Sequence, residues 1–386
     1  MKERLLSEID RVLPEVIAIR RHLHAHPELS GEERETIAYV CSVFDGHGIP
    51  YRVLPDGYGI VAELGHGEKC IGIRAELDAL PITEETGLPY ASVNPGVCHA
   101  CGHDIHLAAA IGFLLLLKPH EDDLPCRVRV FCQPSEETDG GAARMIAHGC
   151  MENPSVGEVY GFHVNPALPV GAVEYLPGVM NAAVTDFELT VRGKSCHGAH
   201  PEDGADAIVA AAAVVTALQT AVARRLAPTT PAVVTVGTIS GGTASNVIAG
   251  EVAMSGTLRT LDMDTMRTLR EAVTEIAKNT AAGFGTTAEI AYTTCYPALV
   301  NDKALTESYF TVVRNHLGTD HVIRMSAPSL GADDFAFFAE AADGCYFNIG
   351  CRGEAQGDEQ VLHSARLAPD EGCLRTALAC LCLTVQ

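Results

Sequence analysis

The sequence predicts an α/β fold with a mixed sheet, interrupted by an inserted α+β sandwich. Three observations predict it. Helix-like and strand-like runs alternate through the first half, a strand–helix–strand–strand–helix–strand order begins near Asn181, and the first pattern resumes after Tyr296. The boundaries that follow are 1–182 for the first core portion, 183–295 for the insertion and 296–386 for the return. A chain of 386 residues also exceeds what one hydrophobic core usually serves.

Taken in order, residues 5–23 have helical spacing, with Pro14 as a point of interruption or restart. Ser30-Gly31-Glu32-Glu33 matches a capping box opening a helix through Thr36, Ala38 and Val43. Residues 71–75 and 127–133 are short β-rich runs, each ending where a polar cluster begins. Open α/β sheets place chemistry at such strand ends. In the insertion, 186–191 alternates as a strand and 203–222 is an alanine-rich helix. Strands at 231–237 and 251–258, a helix at 264–278 and a strand at 288–293 complete it.

With 47% apolar and 20% charged residues, the composition is globular. A net charge of -22 repels phosphate backbones and anionic lipids, which argues against nucleic acid and membrane partners. The apolar runs 111–117 and 208–215 fall short of the roughly 20 residues that span a bilayer. Met1-Lys2-Glu3-Arg4 leads into an amphipathic segment without a signal-peptide core, so a cytoplasmic location is expected. The 14 cysteines, among them Cys41, Cys132, Cys380 and Cys382 in apolar runs, are expected to be mostly reduced and buried.

The densest chemical signal is Cys98-His99-Ala100-Cys101-Gly102-His103-Asp104-Ile105-His106. Cys101 and His103 flank a glycine, whose freedom lets both side chains reach one ion, and a thiolate with an imidazole favours a borderline transition metal. The bland alternative is a polar turn with one reactive cysteine. Next comes Gln133-Pro134-Ser135-Glu136-Glu137, where one carboxylate can bind metal while its neighbour activates water; most such pairs are simply solvated. His163 and His363 stand alone in sequence, and lone histidines are usually structural. Together, however, one cysteine, one glutamate and three histidines suffice for two ions with open positions. His22, His24 and His26 read as surface or hydrogen-bonding residues at a helix end, and His99 and His106 as groups that orient or pack beside ligands.

These motifs, in order, resemble the amidohydrolase branch of the metal-dependent aminoacylase and carboxypeptidase peptidases. The resemblance runs from Arg20-Arg21-His22-Leu23-His24-Ala25-His26-Pro27-Glu28-Leu29-Ser30 through Arg74-Ala75-Glu76-Leu77-Asp78. It continues through the Cys101 and Glu136 segments, Lys194-Ser195-Cys196-His197-Gly198, Ala244-Ser245-Asn246-Val247, Gly256-Thr257-Leu258-Arg259-Thr260 and Gly331-Ala332-Asp333-Asp334 to Leu362-His363-Ser364. It implies a dinuclear metallopeptidase-like catalytic domain in 1–182 and 296–386, with 183–295 as a lid or dimerisation domain. Two divalent ions (zinc, manganese, nickel or cobalt) would be held by Cys101, His103, Glu137, His163 and His363. Glu136 would be the general base, His197 an oxyanion stabiliser, Asn246 and Arg259 the substrate-carboxylate site, and Asp78 a support for the metal ligands. The implied substrate is a small N-acyl amino acid or peptide-like amide, and the implied assembly a homodimer or homotetramer. A dipeptidase or carboxypeptidase on the same scaffold, or a non-catalytic binding protein, are the alternatives. Glu202, Asp333, Ala249 and Cys98 depart from the usual family pattern without removing a proposed ligand or the base.

Overall fold

Strands of the first portion and of the return together form an eight-stranded sheet in the computed structural model, which describes residues 1–138, 140–354 and 360–385. The first portion contains α1 (Lys2–Ala25), α2 (Arg34–His47), β1 (Tyr51–Val53), β2 (Ile60–Leu64), β3 (Cys70–Glu76), α3 (His103–Leu117), β4 (Arg127–Gln133), α4 (Gly141–Ala147), β5 (Glu158–Pro169), β6 (Val173–Tyr175) and β7 (Gly178–Asn181). The insertion adds β8 (Ala183–Arg192), α5 (Ala207–Arg225), β9 (Ala232–Gly241), β10 (Glu251–Thr260), α6 (Met263–Gly283) and β11 (Thr287–Tyr296). The return adds β12 (Leu299–Asn301), α7 (Lys303–Leu317), β13 (Val322–Arg324), α8 (Phe335–Ala341), β14 (Asp343–Arg352) and α9 (Cys373–Cys382).

Two compact units result, Met1–Met180 with Val300–Ala327 and Asp334–Gln386, and Asn181–Leu299 with Pro328–Asp333. Gln386 lies outside the described residues. One stretch departs from the boundaries read in sequence. Pro328–Asp333 groups with the insertion rather than the return, because Ala182 N donates to Gly331 O at 2.8 Å and Asn181 bridges Ser329. Such long-range backbone pairing leaves no periodicity to read.

In the first unit the strand order is β1-β2-β4-β3-β5-β14-β6-β13, with β4, β3, β5 and β14 running parallel at the centre. Every residue of β3 is buried, as expected of a parallel strand covered on both faces. Helices α1, α3 and α9 pack together, and α3 is buried on all sides. Pro14 does not break α1: the stripe Leu5, Ile9, Val12, Val16, Ile19 and Leu23 is buried, and that burial outweighs the lost backbone bond. The capping box is also corrected. Ser30 Oγ donates to Asp78 Oδ2 at 2.7 Å, and Glu33 is engaged by Ser135. The open amides of α2 go to Glu28 instead, which accepts from Glu35 N at 3.1 Å and Thr36 N at 2.7 Å.

The second unit is a four-stranded antiparallel sheet, β11-β8-β10-β9, with α5 and α6 packed on each other and on it. Asp206 caps α5 by accepting from Ile208 N and Val209 N, so the helix starts at Ala207 rather than 203. By length and composition α5 could span a bilayer. It buries Ala207, Ala210, Ala211, Val214, Leu218 and Ala221 at helical spacing, the pattern of a helix covering a sheet.

Candidate metal centre

Cys101 precedes α3 and His103 is its first residue, with Gly102 between them at φ +86°. A side chain at Gly102 would collide with Val164 of β5, so the turn must be bare to lie on that strand. Asp78, just past the end of β3, ties this turn to the next. Its backbone oxygen accepts from His103 Nδ1 at 2.9 Å, and its Oδ2 accepts from Glu137 N at 2.9 Å.

Beyond β4 the chain turns sharply at Ser135, a fully buried non-glycine residue at φ +54°. Glu33 holds that turn, its Oε1 accepting from Ser135 N at 2.8 Å. On the other side Gly140 N and Gly141 N donate to Ser135 O at 3.0 and 3.2 Å, and a Cβ at Gly141 would strike the Pro134 carbonyl. The constraint on both sides fixes Glu136 and Glu137. His163 projects from β5, where Nδ1 donates to Val164 O at 2.8 Å and leaves the lone pair on Nε2. His363, at φ +61°, is held by its N–H to Ala100 O at 2.7 Å.

These segments bring their side chains to one place. Cys101 Sγ lies 3.2 Å from His163 Nε2. Glu137 Oε1 lies 3.8 Å from His103 Nε2 and 3.5 Å from His363 Nε2, and Glu136 Oε2 is 4.0 Å from His103 Nε2. Two donor groups, Cys101–His103–His163 and Cys101–Glu137–His363, each have ligand atoms within 4.8 Å of one another and share the thiol. His103 Nε2 and Glu137 Oε1 are buried without a hydrogen-bond partner. Burial pushes the Cys101 thiol well above its usual range, opposed by His103. Burial, with His106 beside it, pushes His163 down to about 4, leaving it neutral. A thiol so costly to ionise, a neutral imidazole and orphaned donors together suit divalent cations, which supply the missing positive charge.

The other three predicted residues lie in the second unit. His197 and Asn246 sit on paired loops, with Gly198 N donating to Asn246 O at 2.7 Å and His197 bridging Val247. Both are exposed. Arg259 is on β10 and donates to Leu330 O at 3.0 Å. In the sequence Glu33 figures only in the capping box, and Glu76 carries no role. The available signal for Glu76 is a carboxylate at the very end of a mostly apolar strand, where a buried charge needs a partner.

Residues 72–385 match Peptidase family M20/M25/M40. The chain is 38% identical over 353 residues to an N-acetyl-L-cysteine deacetylase of Bacillus subtilis, covering 90% of this chain and 82% of that protein. It is 35% identical over 382 residues to an N-acetyldiaminopimelate deacetylase of Limosilactobacillus fermentum, covering 95% of each. A solved Bacillus subtilis structure, described as a dinuclear metal-binding peptidase of the M20 family, superposes with a TM-score of 0.80 at 31% identity, over 97% of this chain and 99% of that one. With a match across most of its length and relatives of this similarity, the chain belongs to peptidase family M20/M25/M40.

Proposed function

We propose that this protein is a metal-dependent amidohydrolase that cleaves the amide bond of small N-acyl amino acids or related amides. The observation that carries the reading is the pair of donor groups sharing Cys101, with Glu136 beside them. We assign Cys101, His103, Glu137, His163 and His363 to two divalent ions, with zinc, manganese, nickel and cobalt as candidates. The deacetylase relatives support an N-acyl amino acid as substrate.

When bound, the ions supply Lewis-acid polarisation of the amide carbonyl and make water more acidic. Glu136 takes the proton from the attacking water and returns it to the leaving amine. Asp78 keeps His103 and Glu137 in fixed relation through its hydrogen bonds to both. His197 donates to the developing oxyanion, and Asn246 and Arg259 hold the substrate carboxylate. We place the protein in the cytoplasm, a reading supported by its free cysteines. We read it as a homodimer or homotetramer assembled through the second unit, whose edge strand β9 exposes Ile239 and whose α5 exposes Ile208 and Val209.

The test is amine release from a panel of N-acyl amino acids and dipeptides with each metal. Glu136→Gln is expected to lower kcat by roughly 10²- to 10⁴-fold with metal content unchanged. Wild-type rates in that variant would sink the mechanism, and turnover of dipeptides alone would reassign the substrate.

A further inference from the structure

Val164 is where three segments of the metal centre meet. Its N–H donates to His106 Nε2 at 2.9 Å, its carbonyl accepts from His163 Nδ1 at 2.8 Å, and its side chain lies against the bare face of Gly102. Strand β3 pairs with β5 only as far as Ile73 opposite Tyr160. Beyond that point the Val164 amide bonds to the imidazole of His106 instead of a β3 carbonyl, which satisfies a buried donor.

A neutral imidazole that accepts at Nε2 carries its proton on Nδ1, and His106 Nδ1 lies 2.9 Å from Glu76 Oε2. Glu76 is in turn held by Arg74, which also donates to Gln133 Oε1 at 2.8 Å and pairs with Asp334. Arg74, Glu76 and His106 are all fully or almost fully buried. Burial works to raise the Glu76 carboxyl, but Arg74, His106 and His103 hold it well below its usual range. The carboxylate fixes the His106 tautomer, His106 fixes the Val164 peptide, and that peptide fixes which nitrogen of His163 is free.

We propose that Glu76 and His106 are positioning residues that set the tautomer and aim of His163 through Val164, and so govern cation affinity at the Cys101–His103–His163 half of the centre. This rests on the two-ion reading above. A merely structural pair would change stability without favouring one half-site.

Zinc titration of the metal-free protein against a competing chelator tests it, with cobalt absorption reporting the Cys101 thiolate. Wild type is expected to bind two equivalents. His106→Leu is expected to keep one and weaken the other by roughly 10- to 100-fold, with the cobalt–thiolate band retained. His106→Gln, whose side-chain oxygen can accept from Val164 N–H, is expected to recover most of the loss. Equal weakening of both equivalents, or none, overturns the inference and leaves the two-ion reading intact. Fewer than two equivalents in wild type sinks that reading and the inference with it. Imidazole nitrogen spectra of the metal-free wild type keep the test independent of variant folding. They should show His106 and His163 both protonated on Nδ1, and a His106 protonated on Nε2 instead would refute the proposal.

Discussion

Gly102 is held at φ +86° with the Val164 side chain against it. Gly102→Ala should therefore cost about 1–2 kcal/mol for the left-handed backbone and about 1–3 kcal/mol for overpacking. Urea midpoints would measure it; an unchanged midpoint would mean that Val164 moves aside freely. Glu33 presents a different residue-scale effect. Burial, with the Asp78 charge adding, pushes its carboxyl up to about 7 from 4.5, against backbone hydrogen bonds that favour the charged form. A raised acid pKa means the native state holds its proton longer than the unfolded chain. The Glu33 contribution is then fully present below pH 4.5 and is lost as pH rises through about 7. The full shift corresponds to roughly 3 kcal/mol. Melting temperature should fall between pH 5 and 7.5 in wild type and fall less in Glu33→Gln, and equal slopes would remove Glu33 as the cause.

Among elements, α1 and α3 are joined by more than apolar packing. Arg20 Nε donates to Asp104 Oδ2 at 2.7 Å with both side chains fully buried. His24 lies between Asp104 Oδ2 at 2.8 Å and Glu84 Oε1 at 3.2 Å. Burial works to raise Asp104, but Arg20 and His24 hold it far below the usual carboxylate range. Arg20→Ala would leave the buried Asp104 charge at the first turn of α3 with His24 as its remaining charge partner, and is expected to destabilise by about 3–5 kcal/mol in urea unfolding. Arg21→Ala, whose guanidinium is exposed beside Glu371, should change stability far less. Equal effects would show that the α1–α3 junction owes its strength to helix packing instead. The histidine tract that sequence reading gave to a helix end does serve hydrogen bonding at His24, while His22 stacks on His26 and Tyr39.

At the scale of the whole molecule, the proposed metal ligands and base belong to one unit and the proposed substrate residues to the other. His197 is exposed on a loop of the second unit, outside the core that supports the first. His197→Ala should therefore leave folding and metal content intact while lowering kcat by roughly 10²- to 10³-fold. Steady-state kinetics beside metal analysis would check it, and an unaltered kcat would remove His197 from the chemistry. The same division explains the uneven legibility of the chain. Alternation, helical spacing and the strand–helix–strand–strand–helix–strand order were readable because each is a local pattern. The grouping of Pro328–Asp333 with the insertion is not legible in this way, because its backbone partners lie about 150 residues away.

By itself the sequence determined the layered α/β class and the insertion, and it supplied the side chains proposed here for a metal centre, since residue type and periodicity are local properties. Only the tertiary structure decided that Cys101 and His163 lie 3.2 Å apart, that Glu28 rather than Ser30 supports the start of α2, and that Glu76 and His106 stand behind His163. Those relations depend on strand register and on which buried donor finds which acceptor. No single stretch of chain encodes them, because each partner's position is set by the packing of another segment.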